Sequence, residues 1–402
     1  MATTTTYLPT PVSSTFTVSP AKRTETTHRT DLQGLRAVAI ILVVLYHANR
    51  PWMPGGRIGV DIFFVLSGFF IGESLLRAHE KSNFSFTEFY TRRFARLAPA
   101  AVLVILVTLA AVAVLAPEQF YVGLPHAAGA LGWFENIQLS LALYHPTAQN
   151  TAAVLTPLSH FWSLAAEEQF YFIIPALIAT TAGVGAWLVK KRLPNMTRPL
   201  VFTASVLIVF FAAAWSFNEA VREPAATYFN PAARGWELAV GVALAAASPL
   251  WTKIPANIYT AMLPLVALVG LGWAGWTYTD DMPLPGWPLL LVLGATVLLV
   301  MFGNHPSPVR TLLHTSPAQL VGNISYSLYL WHWPALALLI YLCPARSETL
   351  TLAVIFGAGV LSYVTWRWVE MPGKISALTH PPVALLASVT VVFCAGVLWL
   401  TF

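Results

Sequence analysis

Residues 31–50 read DLQGLRAVAIILVVLYHANR, and the pattern in this stretch decides the fold class. The run from Ala37 to Leu45 is apolar without interruption, and Arg36 and His47 stand at its two ends. A continuous run of this kind does not alternate as a half-buried strand would. Runs like it recur along almost the whole chain, at roughly the 20-residue length a membrane-spanning helix needs. A backbone in lipid must be helix or closed barrel, and the absence of alternation selects helix. The expected fold is all-α: a polytopic transmembrane helical bundle of about ten core helices plus one C-terminal helix.

Composition points the same way. Of the 402 residues, 57% are hydrophobic and 10% are charged, where a soluble domain carries about a quarter charged. Spans are predicted at roughly 35–49, 58–77, 98–116, 160–180, 200–218, 230–247, 256–277, 286–303, 321–342, 349–369 and 382–401. The stretch 118–159 is the longest without a span. It holds a semi-apolar piece, around Val122–Leu143, that reads as an interfacial or re-entrant helix. Residues 1–33, rich in Thr, Ser and Pro, read as a disordered cytoplasmic tail. No short apolar segment directly follows a charged start, so the tail is not a secretory signal.

The net charge of +5 is explained by topology before any nucleic-acid partner need be invoked. With the N-terminus in the cytoplasm, sixteen Lys and Arg fall inside and four outside, while Arg36 and Arg234 lie within spans. This is the asymmetry the positive-inside rule requires. It implies a multi-pass protein of a bacterial inner membrane with the C-terminus outside. Residues 34–372 form the expected transmembrane domain. Residues 373–402 form a linker and final span, with a further extracytoplasmic domain, removed or separate, as its natural continuation. Cys343 and Cys394 form no CxxC pair, so neither a metal nor a redox motif is expected.

Ionisable groups within spans cost several kcal/mol unless paired or hydrated, so they point to function. Arg36 and His47 are eleven residues apart, three turns, and share one helical face at about 16 Å separation. The plain alternative is a snorkelling arginine and a boundary histidine. Asp61, in GVDIFFVLSGFF, is a carboxylate placed to accept a ring N–H from His47. In the same segment Gly68 and Gly72 allow close helix contact, and Ser67, in LSGF, lacks the elbow of a nucleophilic serine. Arg92, Arg93 and Arg96, in FYTRRFARLAP, can grip phosphate bidentately or serve as ordinary positive-inside anchors. In HFWSLAAEEQFYF, Ser159, Ser163 and Glu167 share a helix face, which equally suits a polar helix start. In ISYSLYLWHWP, Tyr326 and Tyr329 read as pocket residues or aromatic anchors, and His332 lies deeper. Arg234 and Glu237 are spaced to pair, as are Arg367 and Glu370.

Taken together, DLQGLRAVAIILVVLYH, GVDIFFVLSGFF, FYTRRFARLAP, HFWSLAAEEQFYF, ISYSLYLWHWP and RWVEMP resemble membrane acyltransferase family 3 over most of residues 30–372. The resemblance implies an inner-membrane enzyme that moves acyl groups, often acetyl, from a cytoplasmic donor to extracytoplasmic carbohydrate or lipid-linked acceptors. It implies that Arg36 and His47 are the functional pair and that the arginines of FYTRRFARLAP matter. The expected mechanism has His47 as general base, oriented by Asp61 or Glu167. Acetyl-CoA or another acyl-CoA is the co-substrate, with its phosphates near Arg92, Arg93 and Arg96 and with Arg36 along its path. Ser163, Tyr326, Tyr329 and His332 line the acceptor side or the pocket. No permanently bound cofactor is expected. Envelope polysaccharide, peptidoglycan and glycolipid all fit as acceptor. The Ala- and Thr-rich composition hints at an actinobacterial source, where relatives acylate trehalose mycolate lipids. The competing reading is a carrier or flippase without chemistry, since a polar path through a helical bundle suits transport as well.

Overall fold

The computed structural model describes residues 29–81, 85–145, 155–189 and 196–372. Within them the chain is helical, with no strand. Twelve helices matter to the site: α1 (Thr30–His47), α2 (Gly59–Glu80), α3 (Phe86–Leu115), α4 (Phe120–Leu131), α5 (Glu135–Tyr144), α6 (Phe161–Val189), α7 (Thr197–Arg222), α8 (Pro231–Ala246), α9 (Ile258–Thr277), α10 (Leu289–Phe302), α11 (Ser316–Leu342) and α12 (Glu348–Thr365). Six stretches among the described residues are long and apolar enough to cross a membrane by themselves. The span expected at 382–401 lies outside the described residues.

The layering follows from which helices hide their surface. In α2, 72% of the most apolar window is buried, against 22% in α7 and in Glu348–Glu370. The outer helices turn large apolar side chains outward, such as Phe210, Val266 and Phe356. Surfaces of that kind are suited to lipid rather than water. At the centre α1 packs on α11 and α2, α2 lies along α8, and α11 joins α12. The seam between α2 and α8 is backbone against backbone. A Cβ on Gly68 would lie 2.0 Å from the Leu238 carbonyl oxygen, and one on Gly241 would lie 2.1 Å from that of Val65. The close contact expected at Gly68 is therefore present, with Gly241 as its counterpart.

Two boundaries differ from expectation. α1 begins at Thr30, inside the stretch read as tail, where Arg29 clasps the Asp31 carboxylate at 2.7 Å and the Val300 carbonyl at 2.6 Å. α3 begins at Phe86, well before the predicted 98, because Ser85 caps it by accepting the Glu88 backbone N–H. Hydropathy marks only the apolar part of such a helix, whereas the cap marks its true start. As a result Arg92, Arg93 and Arg96 sit on helix, not loop. Residues 120–144 form two helices, α4 and α5, turned on Trp133 with φ 58°. Each is too short to span at about 1.5 Å per residue.

Candidate active site

Helices α1, α2, α3, α6 and α11 enclose one cavity of about 770 Å³, within the usual range for a small-molecule site. The face of α1 that carries Arg36 lines it, as do Ser67 on α2, the three arginines of α3, Ser163, Glu167 and Glu168 on α6, and Tyr326 and Tyr329 on α11. The arginines and the carboxylates come from distant parts of the chain and meet here.

Their partners differ sharply. Arg93 is committed: its guanidinium grips Glu168 at 2.6 and 2.9 Å, reaches Glu167 at 3.4 Å and lies 3.3 Å from the centre of the Tyr171 ring. Arg92 pairs with Glu88 on its own helix. Arg96 stands 3.6 Å from Glu370. Arg36 makes no hydrogen bond or ion pair among the described residues, although it faces the cavity. Glu167 accepts from Ser67 at 2.7 Å and from Tyr171 at 2.5 Å, both at Oε1, so one of its two carboxylate oxygens is taken. The Arg367–Glu370 pairing expected from spacing gives way to Arg96–Glu370 across helices, with Ser327 donating to Glu370 at 3.2 Å.

Towards the His47 end the cavity stops at two hydroxyls. Ser163 and Tyr329 lie 2.5 Å apart, and Tyr329 donates to the His160 carbonyl at 2.9 Å. Tyr326 is anchored on the Leu97 carbonyl at 2.8 Å. These hydroxyls, expected to line the acceptor side or the pocket, line the cavity that the arginines also line. Just beyond them lie three imidazoles. His47 Nδ1 and His332 Nε2 are 3.0 Å apart, and the His160 ring centre is 5.8 Å from that of His332. His332 and His160 are buried, while His47 is partly exposed at the end of α1. The Trp333 ring flanks His47 at 4.7 Å. Loops around this end are tied down by Tyr46 to Asp280 at 2.7 Å, Arg50 to Glu348 at 2.6 Å and Arg57 to the Thr279 carbonyl at 2.7 Å.

The expected orienters of His47 are elsewhere. Asp61 faces α8, where it accepts from Arg234 at 2.5 Å, and Arg234 meets Glu237 at 3.2 Å. An arginine offers five donors to carboxylates and outcompetes an imidazole for Asp61. The Arg234–Glu237 pairing read from spacing is present. No role was assigned from the sequence to His160, whose ring nitrogens are buried without a hydrogen-bond partner among the described residues. Its spacing of seven residues from Glu167, two helical turns, was the signal that pointed to it.

The family described as an acyltransferase domain matches residues 29–399 of this chain. A provisionally named membrane-bound transacylase from Komagataeibacter xylinus is 33% identical over 349 residues, covering 84% of this chain and 81% of that protein. A provisionally named peptidoglycan O-acetyltransferase from Bacillus subtilis is 32% identical over 322 residues, 76% of this chain and 48% of its own length. The peptidoglycan O-acetyltransferase of Listeria monocytogenes is 29% identical over 363 residues, 85% of this chain and 55% of its own. The chain thus spans about half the length of the last two relatives. No solved structure matches it.

Proposed function

The chain belongs to the acyltransferase domain family, and on that premise we propose that it is an integral-membrane O-acyltransferase. It takes an acyl group, most simply acetyl, from acyl-CoA on the cytoplasmic side. It delivers that group to a hydroxyl of an envelope carbohydrate or glycolipid on the far side. The observation that carries this reading is the cavity with Arg36 unpartnered in its wall and the histidine group just past its closed end. A phosphate-bearing donor suits a wall that offers a cation with no competing carboxylate of its own. The acyl end of that donor lies towards Ser163 and Tyr329, the acceptor reaches the partly exposed His47, and the two substrates meet at the hydroxyl layer.

His47 acts as general base. The acceptor O–H bond breaks, its proton passes to His47, and the oxygen attacks the thioester carbonyl. The tetrahedral oxyanion then collapses, the C–S bond breaks, and the leaving thiolate takes the proton from His47. No covalent enzyme intermediate is required, and the Ser67 hydroxyl is already engaged with Glu167. The carbohydrate acceptor is drawn from two relatives, whose names point to peptidoglycan; a trehalose mycolate would be an acceptor of the glycolipid class.

The test uses membranes carrying the full chain together with the envelope of the cell that made it. Acetyl-CoA is expected to be consumed, with acetyl esters appearing on envelope glycans by mass spectrometry. His47→Ala is expected to abolish both while the protein still accumulates. Full activity in that variant would falsify the role given to His47. A membrane carrier would move its cargo without consuming acetyl-CoA, so the same assay separates the two functions.

A further inference from the structure

We infer that His332 is the residue that positions His47, fixing its tautomer so that the bare nitrogen is Nε2. This deepens the proposed function and rests on His47 being the base. The argument starts from groups whose roles cannot change. His332 Nδ1 lies 2.7 Å from the Tyr329 carbonyl oxygen and 3.1 Å from that of Leu328. A carbonyl only accepts, so His332 Nδ1 carries a hydrogen. A neutral imidazole has one N–H. This ring is 1% exposed and none of its hydrogen-bond contacts is to a carboxylate, so charging it would carry a heavy desolvation cost. His332 Nε2 is therefore an acceptor.

The atom 3.0 Å from that acceptor is His47 Nδ1. Two bare nitrogens at that distance would repel, so His47 Nδ1 carries its hydrogen and donates. His47 Nε2 is left without one. Backbone carbonyl, buried ring and catalytic ring thus form a chain whose polarity is set from the α11 backbone outward. His160 does not compete for either ring, since its centre is 5.8 Å from that of His332 and neither of its nitrogens is hydrogen-bonded.

The device differs from a carboxylate orienter. A carboxylate behind an imidazole both fixes the tautomer and favours the protonated ring. His332 supplies only the first in the resting state. Once His47 has taken the acceptor's proton, its Nδ1–H bond to His332 becomes charge-assisted. The stabilisation therefore arises as the oxygen attacks rather than before. His332 does not touch substrate; it acts through His47.

The experiment compares His332→Leu with His332→Gln in full-chain membranes, measuring kcat and KM for acetyl-CoA turnover on the endogenous acceptor, with His47→Ala as reference. Leu has no acceptor for the His47 N–H, whereas the Gln amide oxygen provides one. The expected result is a kcat about 100-fold lower for His332→Leu, with KM for acetyl-CoA within about twofold, and recovery of at least about tenfold of that loss in His332→Gln. If Leu and Gln are equally impaired, or neither is impaired, while His47→Ala is dead, this inference falls and the base assignment stands. If His47→Ala keeps its activity, both fall. Should His332→Leu fail to accumulate, the Gln variant decides alone. Made in normal amount yet as inactive as His47→Ala, it overturns the inference; within about tenfold of the parent kcat, it supports it.

Discussion

Two groups of buried polar side chains sit between helices of this bundle, and they are built on opposite plans. Between α2 and α8, Arg234 is wholly buried with Asp61 on one side and Glu237 on the other, and its guanidinium lies 5.1–5.6 Å from the ring centres of Phe64, Trp162 and Tyr228. Around the end of α1, three imidazole rings meet with no carboxylate bonded to them, and one is partly open. In the first group one guanidinium is held between two carboxylates, all three side chains buried. In the second the rings bond to one another and to backbone, and His47 reaches the surface. Burial does not separate a structural polar group from a site; access and the lack of a charged partner do.

The largest expected effect breaks the first group. Arg234→Leu leaves two buried carboxylates without their cation, and loss of such a partner costs about 3–5 kcal/mol. Thermal unfolding of the detergent-solubilised protein is the measurement. Replacing Asp61, Arg234 and Glu237 together with apolar residues of similar volume is expected to recover much of that loss, since buried ion clusters often contribute little net stability. His47→Ala is the opposite case: its unfolding midpoint should stay at the parent value while activity disappears. If Arg234→Leu were as stable as the parent and merely inactive, the assignment of this group to structure would be wrong.

What the sequence revealed follows the same division. A helix's period places Arg36 and His47 on one face, and hydropathy places the ends of each described span to within about five residues, apart from the start of α3 and the end of α6. Both are local properties. Partner choice is not: Asp61 finds Arg234 from a helix far along the chain, and Arg96 finds Glu370 in the same way. An i, i+3 spacing was a true guide for Arg234 with Glu237, both buried on one helix. It misled for Glu370, because an arginine on a neighbouring helix was closer. His332 was legible as a deep polar group, but its bond to His47 depends on α1 lying against α11. Nothing in either segment alone specifies that.

A smaller effect is expected at the seam that holds the first group together. Gly68→Ala puts a methyl carbon against the Leu238 carbonyl oxygen, which is backbone and cannot swing aside. Overpacking of this kind costs about 1–3 kcal/mol. Gly72→Ala, whose new carbon would meet the Ala245 side chain at 3.1 Å, should cost less. Unfolding midpoints of the two variants would reveal the gradient. Equal midpoints would mean that α2 and α8 can slide apart without penalty.

The last effects leave stability aside and test the same contrast where the cations line one wall. Arg36 has no partner among the described residues, whereas Arg92 is half-exposed and already pairs with Glu88 one turn away. A donor phosphate gains the full charge-assisted bond from Arg36 but must displace a carboxylate to gain one from Arg92. Losing a hydrogen bond to a charged group costs about 1.5–3 kcal/mol, so Arg36→Ala should raise KM for acetyl-CoA about tenfold or more. Arg92→Ala removes an exposed i, i+4 pair worth about 0.3–0.5 kcal/mol, and its KM should move less than about threefold. Added salt should narrow the Arg92 difference first, because screening acts on exposed charges before enclosed ones. A larger KM change from Arg92 than from Arg36 would place the donor phosphates at the mouth of the cavity rather than within its wall.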